Sequence, residues 1–174
     1  MPTTRDPLDD ILGQEFLTWL WFRSDIAPDA FCDAKGEPFS VSMEQRIVVQ
    51  GGNGNTRETA AVAGTLSPLR EARFGLGTGK KVVQAFLRLE KDEMTFQLRL
   101  KAEDFSLSSF KPPKLEKTQS TDEDADAFLL EKLYLIEIGI GLLDSLYAQF
   151  LRLRLSDGWE QETDKIRQWI SKVE

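Results

Sequence analysis

The sequence predicts an α+β chain: an antiparallel sheet of four or five strands packed against an N-terminal helix and a long C-terminal helix. Three observations carry this. Residues 122–156 place apolar side chains at three-four spacing over an unusually long run, residues 8–24 do the same over a shorter one, and residues 39–101 hold period-two runs separated by turn residues. Strands that follow one another in hairpins, with helices gathered at the two ends, define the class.

Taken in order, Leu8 to Ser24 reads as an amphipathic helix through Leu8, Ile11, Leu12, Phe16, Trp19 and Leu20, with Asp9 and Asp10 suited to its first turn. The cluster Trp19, Trp21 and Phe22 has the chemistry of a base-stacking platform, but aromatics on the apolar face of a helix are expected in the core. Proline, aspartate and glycine mark Ile26 to Pro38 as a loop. Phe39, Val41, Met43, Ile47 and Val49 then alternate with polar residues, giving a strand with one apolar face. Gly51 to Asn55 is a turn, and Thr56 to Thr65 a weaker strand. Ser67 followed by Pro68 signals the start of a short helix reaching about Gly75.

The segment GLGTGKK, Gly75 to Lys81, has the look of a phosphate loop but lacks its requirements. Phe74 stands where the first glycine is needed, Lys81 where serine or threonine is needed, and the order is helix to strand. The clearest hairpin follows. Pairing Leu89 with Met94 across the turn Glu90 to Glu93 sets Leu87 opposite Phe96, Ala85 opposite Leu98 and Val83 opposite Leu100, all inward. The other face then carries Arg88, Phe86, Gln84, Thr95, Gln97, Arg99 and Lys101, with Val82 also outward. The paired prolines of KPPKLEKTQST make residues 111–121 a linker.

Beyond the linker, Leu129, Leu133, Ile136, Ile140, Leu143, Tyr147 and Phe150 form one helical stripe, and Phe128, Leu135, Leu142, Leu146 and Leu153 a second. Only a narrow polar strip remains, so most of this helix requires cover. Its acidic DEDAD opening and its closing Arg152 and Arg154 both suit the helix dipole. Gly139 and Gly141 each cost about 1 kcal/mol relative to alanine, which predicts a close backbone crossing at both. A helix this long outruns a compact domain of 174 residues. Either it breaks near the two glycines, or a second chain covers it. A homodimer is expected, with Leu142, Leu146 and Leu153 at its interface. Trp159 to Val173 closes the chain as a short amphipathic helix expected to pack back on the long one. The whole is expected to be one domain, with the N-terminal helix in 1–25, the sheet and short inserted helix in 39–110, and the two helices in 122–174.

Composition excludes much. The chain holds no histidine and one cysteine, Cys32, so imidazole-based nucleophilic catalysis and an internal disulfide are both ruled out. Carboxylate pairs such as Asp9 with Asp10 or Glu103 with Asp104 are expected by chance among 29 acidic residues, and no metal or cofactor is expected. Charged residues interrupt every window long enough for a membrane span, and the N-terminus lacks the features of a signal peptide, so a cytoplasmic protein without a membrane partner is expected. The net charge of −7 is unevenly spread. Residues 1–69 carry 5 basic and 10 acidic side chains, 70–117 carry 11 and 7, and 119–174 carry 6 and 12. Only the hairpin region is basic, which opposes nucleic-acid binding over the whole surface and permits it on one face.

Residues Gly79 to Lys111, GKKVVQAFLRLEKDEMTFQLRLKAEDFSLSSFK, resemble the C-terminal region of the recombination-associated RdgC family, and LGQEFLTWLWFRSD, Leu12 to Asp25, is similar to an aromatic helix of its divergent members. The resemblance implies sequence-nonspecific binding of double-stranded DNA by a dimeric ring with a basic inner surface that restrains recombinase access. It transfers no catalytic residue. The expected function is therefore a non-enzymatic DNA-associated protein, with Lys80, Lys81, Arg88, Arg99 and Lys101 as candidate contacts. The alternative is an acidic protein-interaction module in which the long helix mediates assembly and DNA plays no part.

Overall fold

The computed structural model describes residues 7–51, 58–63, 72–73, 75–77, 79–115 and 122–172. Helix α1 (Pro7–Ile26) leads into a two-residue strand β1 (Phe31–Cys32), the long strand β2 (Pro38–Gly51) and β3 (Glu58–Ala63). The hairpin β4 (Lys81–Lys91) and β5 (Met94–Lys101) is followed by β6 (Leu107–Lys111), then by α2 (Asp122–Arg154) and α3 (Trp159–Ser171). All strand pairs are antiparallel. The order is β1-β2-β4-β5-β6, with β3 beside the later part of β2. This is the α+β architecture expected. The turn expected at Gly51 to Asn55 and the cap at Ser67-Pro68 lie largely outside the described residues, while Ala72, Arg73 and 75–77 are helical.

One face of the sheet carries the apolar residues, and both long helices lie on it. Phe39, Val41, Ile47 and Val49 of β2 are buried, as are Leu87 and Leu89 of β4 and Phe96, Leu98 and Leu100 of β5. Helix α1 crosses β2 and β4. It comes so close to the loop after β5 that a β-carbon at Gly13 would sit 1.9 Å from the Ala102 carbonyl oxygen. The tryptophan cluster is core: Trp19, Trp21 and Phe22 are all buried.

The hairpin differs from expectation in register. Lys91 pairs with Met94, Leu89 with Phe96, Leu87 with Leu98 and Ala85 with Leu100. The turn is therefore Asp92-Glu93 alone, with Asp92 at φ 54, a left-handed conformation that aspartate tolerates better than most residues. A slip of two keeps the side chains from Gln84 to Lys101 on their expected faces. At the start of β4 the faces do change. Val82, not Val83, is buried, because the pairing with β2 shifts between Val48 and Val49 and the extra residue swaps sides.

Helix α2 is continuous over 33 residues, about 50 Å, and does not break at its glycines. A β-carbon on Gly139 would lie 2.7 Å from the Phe110 ring and 2.8 Å from that of Phe96, so here the helix axis sits directly on the sheet. Gly141, expected to share that role, faces open space. Helix α3 turns away from α2. Trp159 touches Phe150 at its start, but its anchor is Trp169, which meets Trp21 and Phe22 edge-on at 5.1 and 5.7 Å. The Trp169 indole donates to Asp25 at 2.6 Å, and Arg73 donates to the Trp169 carbonyl while stacking 4.4 Å over its ring. The buried carboxylate of Glu162 accepts from Arg23 at 2.6 Å. So α3 closes on α1 and the short helical segment, tied by polar groups that its apolar periodicity does not reveal.

The glycine geometry gives a test by urea denaturation. Gly139→Ala forces a methyl group into two rings and lowers stability by about 1–3 kcal/mol, whereas Gly141→Ala raises it by up to about 1 kcal/mol. The reverse order would remove the close approach of α2.

Candidate nucleic-acid interface

With both helices on one side, the opposite face of the sheet is uncovered by any described helix. Its residues are those that alternate with the buried ones, and the register fixes their neighbours. Ser42 stands beside Arg88, Arg88 beside Gln97, and Gln97 beside Lys111. Phe86 stands beside Arg99 and Arg99 beside Ser108, while Gln84 neighbours Lys101 and Gln50 neighbours Lys81. Four of the five expected contact residues, Lys81, Arg88, Arg99 and Lys101, thus share this face. Lys80 does not. Its side chain runs along Gly75, where a β-carbon would touch both Lys80 Cδ and Val49, on the helix-covered side. Lys111 joins the group instead. Its place was hidden because residues 107–111 show no apolar alternation long enough to announce a strand.

The face is structured by its own contacts. The Arg99 guanidinium lies 5.6 Å over the Phe86 ring and donates through Nε to Ser108 Oγ at 2.6 Å, so it is held flat along the sheet. Arg88 donates to Glu90 on the same strand at 2.5 Å, with both side chains more than 40% exposed. An ion pair this exposed is worth little and yields readily to a competing anion. Strands are about 4.8 Å apart, so Arg88 and Lys111, two strands apart, sit roughly 10 Å from each other at the backbone. Lys111 also borders a cleft of about 410 Å³ at the sheet edge, lined by Phe110, Lys114, Phe128 and Lys132.

Lys91, at the end of β4, is occupied otherwise. It donates to Asp33 at 2.5 Å and Glu37 at 2.7 Å, while Asp33 also accepts the backbone N–H groups of Lys35 and Glu37. The Lys91 contact, then these N–H groups, hold the Asp33 carboxyl below its usual range, and the two carboxylates push the Lys91 ammonium above its own. The cluster clamps the β1–β2 turn to the β4–β5 hairpin.

Among the described residues no three carboxylate or thiol side chains converge as metal ligands, and no helix is long and apolar enough to cross a membrane. The expected interface residues of α2 are engaged within the chain: Leu142 is 3% exposed, Leu146 fully buried, and Leu153 packed against the core. No family model, curated protein or solved structure matches the chain.

The clamp has a pH signature. A depressed carboxyl stabilises the fold above its unfolded value of 3.8 and loses that contribution as pH falls through the lower folded value. A raised ammonium stabilises it below 10.5 and loses this as pH rises through the folded value. Lys91→Met is therefore expected to lower stability at pH 7 and to shrink the loss that the unmodified chain shows on acidification below about pH 4. Denaturant midpoints measured from pH 2 to 7 check this, and parallel curves for the two proteins would show that the clamp contributes nothing.

Proposed function

We propose that the chain is a non-enzymatic, DNA-associated protein that holds the backbone of double-stranded DNA against its open sheet face without reading sequence, in the role of the RdgC family that residues 79–111 resemble. The observation that carries the reading is the gathering of Lys81, Arg88, Arg99, Lys101 and Lys111 by strand register on the face that the helices leave bare. Glu90 stands on that face beside Arg88, so among the described residues the strands gather more basic than acidic side chains there, in a chain of net charge −7. Phosphate contacts of this kind position a duplex and carry no base information. The acidic remainder of the surface confines binding to one side and repels a second duplex. A cytoplasmic setting and a part in recombination belong to the same reading.

A second reading, an acidic assembly module without DNA, is favoured by the apolar residues that the first half of α2 leaves in solvent. Anisotropy with a labelled duplex separates the two. Under the DNA reading, affinity falls with salt with a log-log slope of about −4 and is the same for unrelated sequences. The triple change Arg88→Glu, Arg99→Glu, Lys101→Glu weakens binding at least about tenfold, while Lys80→Gln leaves it within about twofold. No binding at tens of micromolar in low salt, or binding untouched by the triple change, would discard the DNA reading.

A further inference from the structure

The stripe of α2 that meets the sheet runs on past the sheet's edge. Leu135, Gly139, Leu142 and Leu146 face the strands at three-four spacing, and the same spacing carried toward the N-terminus reaches Lys132 and then Phe128. At Gly139 the stripe lies on the Phe110 ring of β6, the last strand in the order of the sheet. Nearer the N-terminus it faces the loop that follows β6, and between the two is the cleft of about 410 Å³. A lysine thus stands on the sheet-facing stripe where packing alone calls for an apolar side chain. The opposite wall brings two more, Lys111 and Lys114, and no carboxylate is part of the described lining. None of the three ammonium groups has an ion-pair partner among the described residues. Asp124, one turn before Phe128, does not line the cleft.

The rest of the lining is apolar and offers flat faces. Phe128 is half-buried on the helix wall. On the loop wall, Pro112 and Pro113 have fixed φ angles and restrict the residue before each, so this wall is shaped in advance of any ligand. Leu115, packed against the core, anchors the loop. We propose that the cleft binds a small aromatic acid, a planar ring system that carries a phosphate or a carboxylate. The ring lies against Phe128 and the two prolines, where an aromatic face accepts offset stacking. The anionic group takes charge-assisted hydrogen bonds from the lysines of both walls. Size selects a small ligand, because pockets of about 300–1,000 Å³ hold molecules of that class and neither a helix nor a duplex enters this one. Three like charges around one cleft also cost stability that a bound anion restores. Lys114 and Lys132 stand apart from the strand register of the open sheet face, so the site is independent of DNA binding.

Ligand-observed nuclear magnetic resonance titration of the full chain with 1-naphthyl phosphate tests the proposal. In parallel, 1-naphthol supplies the ring without the charge, and inorganic phosphate the charge without the ring. The expected Kd for 1-naphthyl phosphate is below about 1 mM, which a ligand of this size reaches at ordinary efficiency, and each half alone binds at least about tenfold more weakly. Lys114→Met and Lys132→Met, one on each wall, each weaken binding about fivefold or more, while Lys132→Arg retains it. Both lysines are exposed, so the methionine variants fold, and without ligand they melt at the same or a higher temperature because a repelling charge is gone. Absence of binding in the millimolar range overturns the proposal. So does 1-naphthol or phosphate binding as tightly as 1-naphthyl phosphate, affinity untouched by either methionine change, or a loss of binding matched by a lower melting temperature.

Discussion

Phe16 is where the fold is held together. Fully buried in α1, it lies within 6.4 Å of the rings of Trp19, Phe105, Tyr147 and Phe150, and so joins the first helix, the loop after β5 and the long helix in one aromatic cluster. Packed rings of this size dominate the energetics of a core. Their position forces α1 and α2 onto the same side of the sheet, α1 over β2 and β4 and α2 over Phe96 and Phe110. An ion pair between Glu15 and Arg154, 2.6 Å apart, ties the helices at the rim of the cluster.

The two surfaces of interest both descend from that arrangement. Because the helices share one face, the other is left to residues that must tolerate water, and the alternation of β4 and β5 delivers arginine, lysine and glutamine there. Because α1 ends its cover of α2 at Tyr147, the helix projects its first half beyond the cluster, where Phe128 and Lys132 line the cleft beside β6. Charge is divided along the chain. Residues 70–117, which hold the hairpin, carry 11 basic and 7 acidic side chains, and residues 119–174, which hold α2 and α3, carry 6 and 12.

The residues announced a good deal of this and concealed some of it for identifiable reasons. Strand faces were legible even where register was not. The β4–β5 turn is two residues long rather than four, but an even slip preserves the faces, so Arg88, Arg99 and Lys101 stand where alternation puts them. Lys80 and Val82 were misplaced because the irregular start of β4 changes sides, and a bulge leaves no compositional trace. Leu142 and Leu146 were assigned to a partner when the sheet itself takes them. Two apolar stripes on one helix look alike in sequence, and which one meets the sheet depends on residues far away in the chain. The anchors of α3 were likewise invisible, since Asp25, Arg73 and Trp169 come together only in space.

By itself, the sequence determined the class of the fold, the extent of the long helix, the core role of the tryptophans and the exclusion of imidazole chemistry, because each follows from local periodicity or from composition alone. The tertiary structure alone decided which of two equivalent helical stripes is buried, which glycine lies against a ring, and which basic residues share a face. Those choices are set by contacts between segments distant in the chain, in particular the approach of the Gly13 backbone to that of Ala102, of Gly139 to the Phe96 and Phe110 rings, and of Phe16 to Tyr147 and Phe150.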